Sequence, residues 1–184
     1  GLGGKTCVLA SLLPQDASLV AVEPDQRRYR LLQENLQRQG LVDQVTTVQQ
    51  DLHAAIAKDR LFDGILIDAP CSGTGVIRKH PDIRWNRQPE DLAAFHEKQL
   101  ELLRTAAGMV KPGGVLVYAT CSLEPEENQE VVEQFLASAD AFELMDGRDF
   151  LPASAAYLVD GDGFFSPLPA DEVEGFFAAR LVHC

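Results

Sequence analysis

Phe62-Asp-Gly-Ile-Leu-Ile-Asp68-Ala-Pro-Cys71-Ser-Gly73 is a short apolar run that ends on an acid and, three residues later, on a thiol. Branched apolar residues bounded by turn formers read as a strand buried on both faces, the kind that lies inside a parallel sheet. In open α/β folds ligands sit beyond the carboxyl ends of the strands. Asp68 and Cys71 are therefore candidate functional residues on position alone.

On both sides of this strand, short β-rich runs alternate with helical stretches, as in a parallel sheet flanked by helices. Upstream, a helix is expected from about Gly4 to Leu13 and a strand over Ser18–Val22 that ends at Glu23. Asp25 then caps a helix running to Gln39, with Gly40 closing it. Val45–Val48 is the next strand, ending at Asp51 and followed by a short helix. Downstream, Pro89 begins a long helix to about Met109, Lys111-Pro-Gly-Gly114 turns the chain, and Val115–Ala119 is a strand that runs into Thr120-Cys121-Ser122. Glu126 to about Ser138 reads as helix. Gly161-Asp-Gly-Phe-Phe165 and Glu174-Gly-Phe-Phe-Ala-Ala-Arg-Leu181 read as a terminal hairpin or strand pair. The expected fold is one α/β domain over residues 1–184, with a mostly parallel sheet and an antiparallel terminal strand. The strand that would deliver Gly3-Gly-Lys-Thr6 is missing, so the sequence reads as a truncated piece.

The bulk composition narrows the classes. A chain of 184 residues that is 46% hydrophobic can build one real core. A net charge of −12 is the wrong sign for a free-standing phosphate-backbone binder, so any grip on nucleic acid has to be local. With no apolar run of membrane length and no leader pattern, a soluble cytosolic protein without membrane contact is expected. Cys7, Cys71, Cys121 and Cys184 lack the short spacings of a zinc site, so free thiols and no metal are expected.

Three groups of residues can carry chemistry. Gly3 and Gly4 at a first turn let backbone approach a ligand closely, and Glu23, about 20 residues on, suits the hydroxyls of a ribose. Asp51 could accept a bond from an adenine amino group, and Asp68 could face the charged part of a nucleoside cofactor. Glu23 or Asp51 considered alone could equally be a helix cap. Cys71 and Cys121 stand in turns just past strand ends, where side chains are exposed and lowered thiol pKa values are expected. Cys7 and Cys184 are read as small buried hydrophobes. A thiolate that adds to carbon 6 of a pyrimidine makes carbon 5 nucleophilic, and a second thiol can serve the later release step. Between the motifs, Arg78-Lys-His-Pro-Asp-Ile-Arg-Trp-Asn-Arg87 is the one basic cluster, with Trp85 inside it. It reads as a nucleic-acid contact loop, against the alternative of a solvated loop pinned to the core by its tryptophan.

Gly3-Gly-Lys-Thr6, Asp68-Ala-Pro-Cys-Ser-Gly-Thr-Gly75, Arg78-Lys-His-Pro-Asp-Ile-Arg-Trp85 and Tyr118-Ala-Thr-Cys-Ser-Leu-Glu-Pro-Glu-Glu-Asn128 together resemble the RNA cytosine-5 methyltransferases, most nearly the bacterial Sun/Fmu type acting on 16S ribosomal RNA. The resemblance implies a Rossmann-like class I methyltransferase dependent on S-adenosylmethionine. It implies Cys121 as the nucleophile, Cys71 as the residue assisting product release, and Asp68 near the target base. Gly3, Gly4, Lys5, Glu23, Asp51 and Asp68 would line the cofactor site, and Arg78, Lys79, His80, Arg84, Trp85 and Arg87 would hold RNA. Gly1-Leu2 stand where the family has Ala-Pro, and the family's preceding strand and N-terminal RNA-binding region are missing, so weak or absent activity is expected of this stretch alone. Two rivals remain: a P-loop nucleotide hydrolase, from Gly3–Thr6 and Ile65–Asp68, and a non-catalytic remnant that binds RNA or the ribosome.

Overall fold

The computed structural model describes residues 2–14, 16–55, 60–170 and 173–184, and the chain divides into two compact units, Gly1–Arg60 and Leu61–Cys184. In the first, α1 (Gly4–Leu12) is followed by β1 (Leu19–Val22), α2 (Gln26–Arg38), β2 (Val45–Val48) and the short α3 (Leu52–Ala55). Helix α1 stops one residue before the expected Leu13 because Leu13 precedes Pro14 and is driven to extended backbone. Asp25 caps α2 as its chemistry dictates, its carboxylate accepting from Arg28 N at 2.7 Å. Leu32 and Leu36, one turn apart on α2, pack with Ala10 and Val45 into this unit's core. Strands β1 and β2 run parallel, from Leu19 opposite Val45 to Val22 opposite Val48.

The second unit contains β3 (Phe62–Asp68), α4 (Ile83–Asn86), α5 (Asp91–Ala107), β4 (Val110–Thr120), α6 (Gln129–Leu136), β5 (Phe142–Met145) and β6 (Phe177–His183). Its sheet has the order β3-β4-β6-β5. Strands β3 and β4 are parallel, and β6 runs antiparallel to both β4 and β5. The antiparallel terminal strand expected from the tail is β6. The Gly161–Phe165 half makes only single bridges, Phe165 to Val159 and to Ala178. Strand β5 carries no signal that the sequence pattern picked out.

Alternation sets the core here. Leu116, Tyr118 and Thr120 on β4 stand opposite Leu181, Ala179 and Phe177 on β6, and all six are at most 1% exposed. Leu100, Leu103 and Ala106 of α5 and Val131, Val132 and Phe135 of α6 complete that core, all at most 1% exposed. Each such aliphatic side chain contributes roughly 1.5–3 kcal/mol by leaving water. Among the described residues β3 pairs in this sheet with β4 alone and Leu66 is 36% exposed, so the strand expected to be central stands at one end of the order. A hydrophobic run tells how apolar a strand is, not how many neighbours it has.

Two further boundaries differ from expectation. Lys111–Gly114 does not turn the chain out of the sheet but bulges within β4: the register jumps from Phe62↔Val110 to Gly64↔Val115. Gly113 at φ 76° allows the bulge, and Lys111 Nζ closes it on the Asp63 carboxylate at 2.8 Å. The helix expected from Glu126 is a 3-10 turn over Pro125–Glu127, a break at Asn128 (φ −114°, ψ −105°), and then α6. Asn128 breaks the helix because its side chain is held elsewhere, accepting from Thr120 Oγ1 at 2.6 Å and donating to Ser122 O at 3.0 Å.

Among the described residues no helix is long and apolar enough to cross a membrane. Trp85 is 78% exposed and so does not pin its loop to the core. Trp85→Ala is therefore expected to change unfolding free energy by less than about 0.5 kcal/mol, whereas Phe135→Ala, which empties a packed site, should cost about 3–5 kcal/mol. Chemical denaturation of the two variants checks both values, and a large loss for Trp85→Ala would return the tryptophan to a structural role.

Candidate active site

The parallel pairing of β3 with β4 puts Asp68 opposite Ala119, so both cysteine motifs leave the sheet at the same edge. Cys71 follows β3 by three residues and Cys121 follows β4 directly, and their Sγ atoms lie 3.4 Å apart, both half-buried. The two thiols are thus brought together across 50 residues of chain. Asp68 is exposed at the end of β3.

Backbone contacts hold Cys121 from behind. Gly75 N donates to Cys121 O at 3.0 Å, and Gly175 N donates to Gly75 O at 2.9 Å. A Cβ on Gly75 would press into the Gly175 carbonyl and stand 2.9 Å from Cys121 O. Glycine is required there by the closeness of three backbones. Thr74 Oγ1 accepts from Leu123 N at 2.9 Å, a second tie between the loops.

Beside the thiols lies a buried polar cluster that sequence reasoning missed. Glu127 is fully buried, and its carboxylate accepts from Ser72 N at 2.8 Å, Gln99 Nε2 at 3.0 Å, Ser122 Oγ at 2.6 Å and Ser72 Oγ. Ser72 and Ser122 are the residues next to Cys71 and Cys121. Gln99 Nε2 also donates to Pro70 O at 2.9 Å, and Tyr118 OH donates to Glu127 O at 2.6 Å. The only available signal was the Glu-Glu-Asn that follows the second motif, and nothing in its spacing marks which acid turns inward.

The electrostatics correct one expectation. The Cys71 thiol is not lowered but pushed far above the ordinary thiol range, first by its hydrogen bond to Cys121, then by burial, with the Cys121 charge adding to the effect and the Glu127 carboxylate contributing last. Two sulfur anions at 3.4 Å would repel strongly, which is why the Cys121 contact raises the Cys71 pKa. Cys7 packs beside the first unit's core as expected, but Cys184 is exposed at the chain end and is not the buried hydrophobe it was read as.

The basic stretch divides in two. Arg78 donates to Ala170 O at 3.0 Å and to Glu174 Oε1 at 3.2 Å, and Lys79 Nζ lies 3.4 Å from the same oxygen. Arg87 turns to the first cysteine loop, its Nε donating to Ser72 O at 3.1 Å while the guanidinium lies over the Phe95 ring at 5.3 Å. His80, Arg84 and Trp85 are exposed. Arg87 therefore supports the thiol loop whatever else it touches.

The first unit carries the other candidates. Gly3, left-handed at φ 91°, opens α1, with Gly4 and Lys5 in its first turn. Glu23 follows β1, is 4% exposed, and accepts from Asp25 N at 3.0 Å. Asp51 follows β2 and is exposed. Donors at a helix start and carboxylates past two adjacent parallel strands fit a nucleoside with hydroxyl and amino groups.

Residues 1–182 match the family described as 16S rRNA methyltransferase RsmB/F. The chain is 41% identical over 170 residues to ribosomal RNA small subunit methyltransferase B of Klebsiella pneumoniae subsp. pneumoniae, covering 89% of this chain and 38% of that protein. It is 41% identical over 169 residues to the protein of the same name from Vibrio cholerae, again covering 89% and 38%. The chain thus spans well under half the length of these relatives. Among solved structures it is similar to a methyltransferase homolog from Pyrococcus horikoshii (33% identity, TM-score 0.77, 99% of this chain and 58% of that one). It is also similar to NSun6 from Pyrococcus horikoshii with SFG (29% identity, TM-score 0.81, 98% and 45%).

The raised Cys71 pKa has a direct consequence. At pH 8 Cys71 is expected to react with iodoacetamide more slowly than an unhindered thiol, and Cys121→Ala should accelerate it by removing the first cause of the shift. Mass-spectrometric alkylation rates at Cys71 measure this, and an unchanged rate in Cys121→Ala would contradict the pairing of the two thiols.

Proposed function

The chain belongs to the 16S rRNA methyltransferase RsmB/F family, and from that premise we propose that it is the catalytic region of an enzyme that methylates carbon 5 of a cytosine in RNA, with 16S ribosomal RNA as substrate and a cytoplasmic location. The observation that carries this reading is the meeting of Cys71 and Cys121 at 3.4 Å beyond adjacent parallel strands.

S-adenosylmethionine supplies the methyl group when bound, a reading supported by the relative solved with SFG, an analogue of that cofactor. Gly3, Gly4, Lys5, Glu23, Asp51 and Asp68 are proposed to hold it, the glycine turn through backbone N–H groups and the acids through hydroxyl and amino groups. Arg78, Lys79, His80, Arg84, Trp85 and Arg87 are proposed to hold RNA. Their local positive charge offsets the chain's net charge of −12, and exposed Trp85 offers a stacking face.

The division of labour between the thiols is the one the family resemblance implies. Cys71, whose pKa is pushed up by its contact with Cys121 and by burial, is the poorer nucleophile of the two, and Cys121 is proposed as the attacking sulfur. Cys121 attacks carbon 6 of the flipped cytosine, which makes carbon 5 electron-rich enough to accept a methyl group. Loss of the carbon 5 proton to solvent water, its electron pair re-forming the ring double bond as the carbon 6–sulfur bond breaks and Cys121 leaves as thiolate, restores the ring. The Cys71 thiol, within hydrogen-bond reach, stabilises the departing sulfur. Asp68, at the end of β3 on the same edge, is proposed to contact the base.

Cytosine bearing fluorine at carbon 5 cannot lose a proton there, so the adduct persists. Full-length protein, cofactor and 5-fluorocytosine RNA should give a covalent complex on a denaturing gel, absent in Cys121→Ala and retained in Cys71→Ala. An adduct that survives Cys121→Ala would overturn the assignment of the nucleophile.

A further inference from the structure

We propose that Glu127 is a positioning residue for the reaction, clamping the two thiol loops together through Ser72 and Ser122 so that Cys71 and Cys121 stay in contact. The inference deepens the proposed function and rests on its pairing of the two cysteines.

The geometry points one way. Ser72 Oγ and Ser122 Oγ converge on the same carboxylate oxygen of Glu127 and lie 3.1 Å from each other. The other oxygen takes Ser72 N and Gln99 Nε2. The donors are two hydroxyls, an amide and a backbone N–H, all neutral, so the carboxylate is held by hydrogen bonds alone in a site with no exposed surface. Bonds to an ionised acceptor are about twice as strong as neutral ones, and removing one partner of a buried charge leaves the other uncompensated. Each arm ends one residue from a cysteine, so a shift in either arm moves a sulfur. Thr74, 3.3 Å from Ser122 Oγ, adds a lateral tie. The same negative charge adds to the forces that keep Cys71 protonated.

Disulfide formation reads this positioning without RNA or cofactor, so its outcome is separate from that of the methylation reading. With diamide as oxidant, two S–H bonds break and one S–S bond forms. The two protons and two electrons pass to the N=N group, which becomes a hydrazine. The intact protein should form the Cys71–Cys121 disulfide readily. Glu127→Ala, which removes the clamp, and Ser122→Ala, which cuts one arm and leaves the rest of the cluster, should each form it about tenfold more slowly, and methylation should lose kcat with KM for RNA held. Phe135→Ala, equally buried but distant from the serines in sequence, should lower the melting temperature without slowing the disulfide. If folded Ser122→Ala closes the disulfide and turns over at the parental rates, the clamp is refuted whether or not Glu127→Ala folds. A slowing in Phe135→Ala equal to that in Ser122→Ala refutes it too, since it would assign the effect to general loosening.

Discussion

A carboxylate removed from water must be surrounded by donors, and Glu127 meets that requirement by drawing in the two loops that carry the thiols. The rest of the second unit is arranged around this demand. Tyr118, buried on β4, uses its hydroxyl on the Glu127 carbonyl, and Gln99 reaches from α5 to both Glu127 and Pro70. Asn128 gives up helical backbone to bind Thr120 and Ser122. A strand, a long helix and the start of α6 therefore converge on one buried charge, and the sulfur contact is a product of that convergence.

The supports behind the thiols differ in kind from those beside them. Beside them are side-chain hydrogen bonds, which depend on charge and hydroxyl groups. Behind them is a close approach of three backbones at Gly75, Gly175 and Cys121, which depends on the absence of a Cβ. The basic stretch extends the same economy. Arg87 braces the Ser72 carbonyl while Trp85 stays in solvent, and Arg78 and Lys79 share Glu174. An acidic chain can in this way present cations locally without becoming basic overall.

Much of this was legible in the order of residues. The strands β1 to β4, the long helices, the Asp25 cap and the terminal antiparallel strand follow from period, caps and turn formers, which act over a few residues. The larger misses involve partners distant in the chain. Lys111–Gly114 has the composition of a turn, but Asp63 and the pairing with β3 keep it in the sheet. Glu126 and Glu127 look alike in sequence, and Glu127 is the one that is fully buried against the serines beside the two cysteines. Cys71 stands in a loop that favours exposure, yet the thiol opposite raises its pKa instead of lowering it.

By itself the sequence determined most of the elements, that two cysteines follow adjacent strand candidates, and which family the motifs resemble, because those properties are set by local backbone preference and by residue identity. Only the tertiary structure decided that the sulfurs meet at 3.4 Å, that this contact and burial push the Cys71 pKa up, and that a buried glutamate holds their loops. The reason is physical: distance, burial and shared protons belong to pairs of groups. Those pairs exist only after segments 50 or more residues apart have been folded against each other.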